Sequence, residues 1–577
     1  MSLLYSYSHF AFMAQYLFWL IPFFVSFATA SGDLNNNFYI KLFAFEFAFI
    51  LMFVYNAYKK ERNFRIAFSI SYPDVLIIGL LIIYFYFYAG YCNIIDHSVS
   101  LIYLLFYFFI RSNFDNKSVD ALIKIVPLII ASHLLICLLQ YFRIIPNYSI
   151  YFEVGSTFGN PDMLSAYLAV LLPFCYTGNR KWIFFQVSIV GLTVFLFFYL
   201  QARTAIVTTA IVLLLYYART RHIHKMYIIL GISVLVIGVA FLIYWHEISV
   251  LGRLYIWIVS LAMFVSKPLG WGPYAFDKYY PEYQSVFTTE HPELANALNY
   301  DIVHSSYNEF LNIAVTIGLI GLILYVLFVA YILKTSYKTK SLLFFPLCAF
   351  QIVSLSYFPF KIIPLTIVYV ICCSIVVSTN NVYKIHLVGS GIRGKFFASC
   401  IIIPVLFCFL FSMLSFNYWE KAVKQSREIE TYNEACESFN CGYPFLKDNG
   451  RFLISFAELK YKMNRDSTLL LMEQAAKCFS DVAFCNNLAI IYEDVGRIDD
   501  AKMKYKIAVN MSHSNIDIYY AQMQFLQRIG DVDEAYQVAV LLAKKIGNTP
   551  SRVEHKLILE RVNKLISSYS VVRKAFP

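Results

Sequence analysis

Apolar runs long enough to cross a bilayer recur along the first 416 residues, near 9–30, 38–58, 74–92, 98–111, 119–141, 162–177, 181–199, 204–218, 226–245, 306–333, 341–358, 361–379 and 396–416. A lipid interior offers the backbone no water, so such runs must satisfy their own peptide groups as helices of about 20 residues. The pattern predicts an all-α polytopic bundle of 12 to 13 transmembrane helices, several of them short or interrupted. Composition agrees, with 59% hydrophobic and only 14% charged residues. Soluble domains sit nearer one half apolar. The first run is too long and aromatic for a signal peptide and lacks a small-residue cleavage site, so it reads as a permanent span.

A net charge of +11 would suit a nucleic-acid partner, but the basic residues of the membrane part fall in alternate loops. These are 59–65, 111–117, 178–181, 218–225, 334–340 and 383–395. The positive-inside rule makes those loops cytoplasmic. The amino terminus is then inside, and "SGDLNNN", the segment 142–161, the edge at 200–203 and the long loop 246–303 are outside. No nucleic-acid partner is expected.

Cysteine says less. Most of the twelve lie in or near apolar runs, where a thiol packs as a small hydrophobe. Cys436, Cys441, Cys478 and Cys485 lie in the polar tail, where a Cys436–Cys441 bridge and free thiols both fit. No CxxC pair or His/Cys cluster signals a metal site, and no cofactor is expected.

After residue 417 charges appear every few residues, dividing the chain into a membrane domain at 1–417 and a soluble domain at 418–577. With thirteen spans, the tail is outside. Within it, "NNLAIIYEDVGRIDDAKMKYKIAV" and "AQMQFLQRIGDVDEAYQVAVLLAK" align Gly496 with Gly530, Asp499 with Asp533 and Ala501 with Ala535. The common offset is the tetratricopeptide period, in which small residues let paired helices approach and glycine turns the chain. Such a repeat domain either binds a protein partner or serves as a rigid cap. "DVD" at 531–533 resembles an acidic metal motif, but its counterpart "IDD" at 498–500 makes it helix-start chemistry.

Arginine at a bilayer edge needs a reason, because burying it costs about 2.5–3.5 kcal/mol at mid-membrane on insertion scales. Arg203, in "LQARTAIV", sits at the outer start of a span, and Arg253 heads an amphipathic segment in the outer loop. The loop ends in "HSSYNEFLNIAVTIGLIG", bringing His304, Tyr307, Asn308 and Glu309 to the outer mouth of the next span. Two guanidinium groups can make paired hydrogen bonds to a pyrophosphate, and a histidine can take a proton near neutral pH. Taken singly, each arginine also fits a lipid-headgroup contact and the histidine a structural place. In "GSTFGNPDM", Asn160 suits a cap, Pro161 the first helical position and Asp162 the helix dipole. Gly155 and Gly159 fit either a close approach of glycan or phosphate to the backbone or a structural turn.

The order "GSTFGNPDMLSAYLAVLLP", "QARTAIV", "GRLYIW…KPLGWGPYAF", "HSSYNEFLNIAVTIGLIG" resembles the O-antigen ligase and polymerase superfamily, which includes bacterial protein O-oligosaccharyltransferases. The resemblance covers roughly 150–335, and the tail matches members that carry tetratricopeptide domains. It implies a metal-independent glycosyltransferase of the GT-C type in the bacterial inner membrane, moving a glycan from undecaprenyl pyrophosphate to an acceptor hydroxyl on the periplasmic face. Arg203 and Arg253 match the family's pyrophosphate-binding arginines, and His304 is nearest to its proposed base; Gly159, Asn160, Tyr307, Asn308 and Glu309 are the further substrate-binding candidates. There is one departure. Many members place histidine directly before the Asn of "NE.L", where this chain has Tyr307, while His304 lies one helical turn before Asn308. The acceptor is lipid A core or a protein. A repeat-unit polymerase of the same superfamily and a non-enzymatic membrane scaffold recruiting partners through its tail are the competing readings.

Overall fold

The structure is a computed structural model that describes residues 16, 18–29, 37–59, 66–88, 93–113, 117–147, 149, 151–177, 182–220, 233, 247–291, 303, 305–379, 385–389, 392–463, 465–512, 515–547 and 553–575. Among the described residues the protein is all-α apart from one antiparallel ribbon, Ile66–Ile70 against Ile385–Gly389, in which Phe68 pairs with Leu387. The ribbon joins two basic segments that the charge pattern assigns to one side of the bilayer. It is a multi-pass membrane protein. Among the described residues four helices are long and apolar enough to cross a membrane, Asn37–Asn56, Val119–Tyr141, Glu309–Lys338 and Ile402–Gln425, and shorter apolar helices accompany them. The expected span at 226–245 lies, but for Ser233, outside the described residues.

The chain forms two compact units. The first comprises residues 1–245, 307–313 and 319–445. Its core is aromatic: Phe106 meets Phe45 at 5.1 Å and Phe49 at 5.4 Å, and Phe109 meets Phe49 at 5.2 Å. In lipid, where the hydrophobic effect between helices is weak, such dispersion contacts and buried polar pairs hold helices together. Arg111 forms a buried ion pair with Asp74, which also accepts from the Tyr107 hydroxyl at 2.8 Å and the Ser71 hydroxyl at 2.7 Å. Arg111 therefore serves the packing of the helices and not only the charge of a loop.

The compositional boundary at 417 falls inside the Ile392–Gln425 helix, which runs on without a break. Trp419 is buried beside Tyr39, with 6.0 Å between ring centroids. The following helix, Tyr432–Leu446, carries Cys436 buried and Cys441 exposed, and neither forms a disulfide. Five residues apart on one helix, they point too far apart for a bridge.

The second unit joins residues 246–306 and 314–318 to 446–577. Helices Val482–Asp494 and Ile498–Met511 form one helix–turn–helix, and Ile516–Arg528 with Val532–Gly547 form another, shifted by 34 residues. Gly496 and Gly530 both turn the chain at φ 79°. Ala501 and Ala535, at 0% exposure, lie at the helix contacts. The 274–288 segment is built into this unit. Tyr274 donates to the Asp448 carbonyl at 2.7 Å, Ser480 N–H to the Asp277 carbonyl at 2.7 Å, and Thr288 to the Asn510 carbonyl at 2.7 Å.

Candidate functional site

Asn160 caps its helix as its type and spacing demand, accepting from Asp162 N–H at 2.8 Å and Met163 N–H at 3.4 Å. The glycines before it have a packing reason. A Cβ on Gly155 would lie 2.8 Å from the Gly159 carbonyl carbon, and Gly159 itself sits at φ 70°. The turn rests on a buried polar knot. Gln140 Oε1 accepts from Gly155 N–H at 3.1 Å and Ser156 N–H at 2.7 Å. His133 bridges Ser156 Oγ at 2.9 Å and Ser26 Oγ at 3.0 Å, with Phe27 stacked on its ring at 4.4 Å. Lys41 reaches in to the carbonyls of Ser26 and Ala28, each at 2.9 Å. The structural-turn reading of the two glycines thus has a named cause.

The segment holding Arg203 is equally specific. The Ile183–Tyr199 helix ends in a left-handed residue, Gln201 at φ 52°, and Ala202 N–H donates back to the Phe197 carbonyl at 2.9 Å. Arg203 is then the first residue of the Arg203–Thr220 helix. A cation there is opposed by the positive end of the helix dipole, by about 0.3–1 kcal/mol. The same coincidence of charge and free N–H groups concentrates positive potential for an anion.

Next to it, Thr204 Oγ1 shares a hydrogen bond of 3.2 Å with Ser356 Oγ. Ser356 opens a connector to the Ile363–Thr379 helix, and this connector also receives the 307–309 segment. The Tyr307 ring lies 5.3 Å from Phe358 and 6.4 Å from Tyr357, and those two rings stack at 4.2 Å. Tyr307 is held at φ 51°, a strained setting for a bulky residue. Asn308 caps the Glu309–Lys338 helix, accepting from Phe310 N–H at 3.1 Å and Leu311 N–H at 3.2 Å. Glu309, 3% exposed, accepts from Asn312 Nδ2 at 3.0 Å, and Lys361, at the exposed end of the connector, acts electrostatically on its carboxylate.

Arg253 belongs to the second unit, half-buried on the Glu247–Ser266 helix. There the "PLGWG" turn is pinned to residues 315–318. Gly318 departs from helical geometry at φ 76°, ψ −173°, which releases the carbonyls of Val315 and Thr316. Trp271 N–H and Gly272 N–H take them up at 2.8 Å and 2.9 Å. His304 lies outside the described residues.

The structure thus brings the Arg203 helix start and the Tyr307–Glu309 helix start to one connector. Sequence reasoning missed that connector. "LSYFPFKIIP" looks like the end of an apolar run, and its one signal is Lys361 among apolar residues. A family model described as O-antigen ligase matches residues 166–326, a stretch that takes in Arg203, Arg253 and Tyr307 to Glu309. Over that segment the chain is similar to O-antigen ligases, a class of glycosyltransferase-like membrane enzymes. No curated protein matches the chain.

Proposed function

We propose that the protein transfers an oligosaccharide from undecaprenyl pyrophosphate to an acceptor hydroxyl on the periplasmic face of the bacterial inner membrane, without a metal. The supporting observation is the shared connector: a cation at a helix start and a second, acid-bearing helix start are tied to the same stretch, 356–362, and both starts lie inside the matched segment. Attack at the anomeric carbon passes through an oxocarbenium-like state while negative charge grows on the departing pyrophosphate. A fixed guanidinium at that leaving group lowers the transition state more than the ground state. Arg203 supplies it. Arg253 carries the same role from its place in the family-like motif, on its own helix. Gly159 and Asn160 border the donor glycan. The acceptor hydroxyl meets the 304–309 segment, where His304, Tyr307 and Glu309 are the groups able to take its proton.

The tail, read as a tetratricopeptide domain, recruits the acceptor, whether lipid A core or a protein. The hydrogen bonds from the 274–288 segment to the tail support a reading with both on one side of the membrane. The charge pattern independently puts both outside.

The test is reconstitution with an undecaprenyl-pyrophosphate glycan and candidate acceptors. Release of the lipid pyrophosphate with single-glycan products supports a transferase. Products that lengthen by repeat units point to the polymerase, and no turnover with any acceptor leaves the scaffold.

A further inference from the structure

Glu309 is the buried acid that the leaving-group chemistry does not use. Its Oε1 is occupied by Asn312 Nδ2 at 3.0 Å, whereas its Oε2 is buried with no hydrogen bond of ordinary geometry among the described residues, and the Phe360 backbone N–H acts on the carboxylate from the connector. An acceptor oxygen kept from water without a well-placed donor is costly, so such an oxygen marks a place where a ligand O–H can serve. Exposed Lys361 acts electrostatically on the carboxylate, and half-buried Tyr307, just before it in the chain, is held at φ 51° against Tyr357 and Phe358. Strain of that kind is kept where geometry at a site matters.

Resting on the proposed transfer reaction, we propose that Glu309 is its general base. The acceptor O–H gives its proton to Glu309 Oε2 as the acceptor oxygen bonds to the anomeric carbon. The bond from that carbon to the pyrophosphate oxygen breaks, and its electron pair leaves with undecaprenyl pyrophosphate. The carboxylic acid then returns the proton to water. Lys361 supplies the counter-charge beside the carboxylate, and Asn312 fixes its orientation through Oε1.

Glu309→Gln separates this role from a structural one, because the amide keeps an oxygen for Asn312 and nearly the same volume but loses the basic oxygen. The purified full chain is tested with donor and acceptor, and again with azide, an anionic nucleophile that needs no deprotonation. The expected result is a fall in kcat of about 100- to 10,000-fold with donor KM and melting temperature held, and recovery of turnover as glycosyl azide. Glu309→Asp, which retains a shortened base, should fall between wild type and Gln. Full activity in Glu309→Gln overturns the proposal. So does a loss that azide fails to relieve, or one accompanied by lower thermal stability or weakened donor binding. Wild-type protein that turns over with no acceptor sinks the transferase reading itself, whereas active wild type with active Glu309→Gln sinks only the base.

Discussion

Thr204 and Ser356, 152 residues apart in sequence, share a hydrogen bond of 3.2 Å. That bond ties the turn bearing Arg203 to the connector that also clasps Tyr307, so the position of the guanidinium depends on residues far from it in the chain. Arg203→Ala should lower kcat of glycan transfer by about 100- to 1,000-fold, the loss seen when one preorganised charge-stabilising donor is removed. Ser356→Ala removes only the tie, and a typical hydrogen bond of about 0.5–1.5 kcal/mol translates to roughly 2- to 13-fold. Steady-state kinetics of the two variants in one membrane preparation check the order.

Gly155→Ala would place a Cβ 2.8 Å from the Gly159 carbonyl carbon and 2.9 Å from its oxygen, backbone atoms that cannot swing aside. Overpacking of this kind costs about 1–3 kcal/mol. Thermal unfolding in detergent should show a clear drop for this variant. An unchanged melting curve would return the glycine to the ligand-approach reading.

In the second unit, Gly270 at φ 100° lies where a Cβ would meet the Thr316 carbonyl oxygen at 2.6 Å. Gly270→Ala therefore combines backbone strain with a clash, and a loss of about 1–3 kcal/mol is expected. The readout is hydrogen exchange at Trp271 and Gly272, whose N–H groups should lose protection first.

Asp74→Asn removes the carboxylate of a buried ion pair with Arg111 and deprives Tyr107 and Ser71 of a charged acceptor. Breaking such a pair costs about 3–5 kcal/mol. The variant should express poorly as folded protein in detergent, and Arg111→Met with Asp74→Leu in one chain should recover much of the loss.

Lys502 bridges the two helix–turn–helix units, 2.7 Å from Asp531 and 2.5 Å from Glu534. These carboxylates push its pKa up to about 12, and Lys502 in turn holds Asp531 below its usual value. A lysine raised on folding contributes below its unfolded pKa of 10.5, and that contribution fades as pH climbs through about 12. The depressed Asp531 contributes above its unfolded pKa of 3.8, and loses that contribution as pH falls below it. Melting of the tail should be flat with pH between those limits and fall at both ends. Lys502→Ala should flatten the alkaline fall while changing stability at neutral pH only slightly, since the bridge is exposed.

Much of the architecture is readable along the chain, because it rests on interactions between near neighbours. Apolar runs become helices, Asn160 and Asn308 cap the helices that follow them, and Gly496 and Gly530 turn the chain at matching points of the repeat. Each of these is decided within a few residues. The relations that shape the site are of another kind. Nothing near Ser356 announces Thr204, nothing near Lys361 announces Glu309, and Arg111 looks like any cytoplasmic arginine until Asp74 is found beside it. The same holds for the 274–288 segment, whose partners at Asp448, Ser480 and Asn510 lie far along the tail. Periodicity, capping and charge alternation are written locally because backbone hydrogen bonds and helix faces repeat every few residues. Which buried polar groups meet depends on how helices pack, and that emerges only when the whole chain has closed.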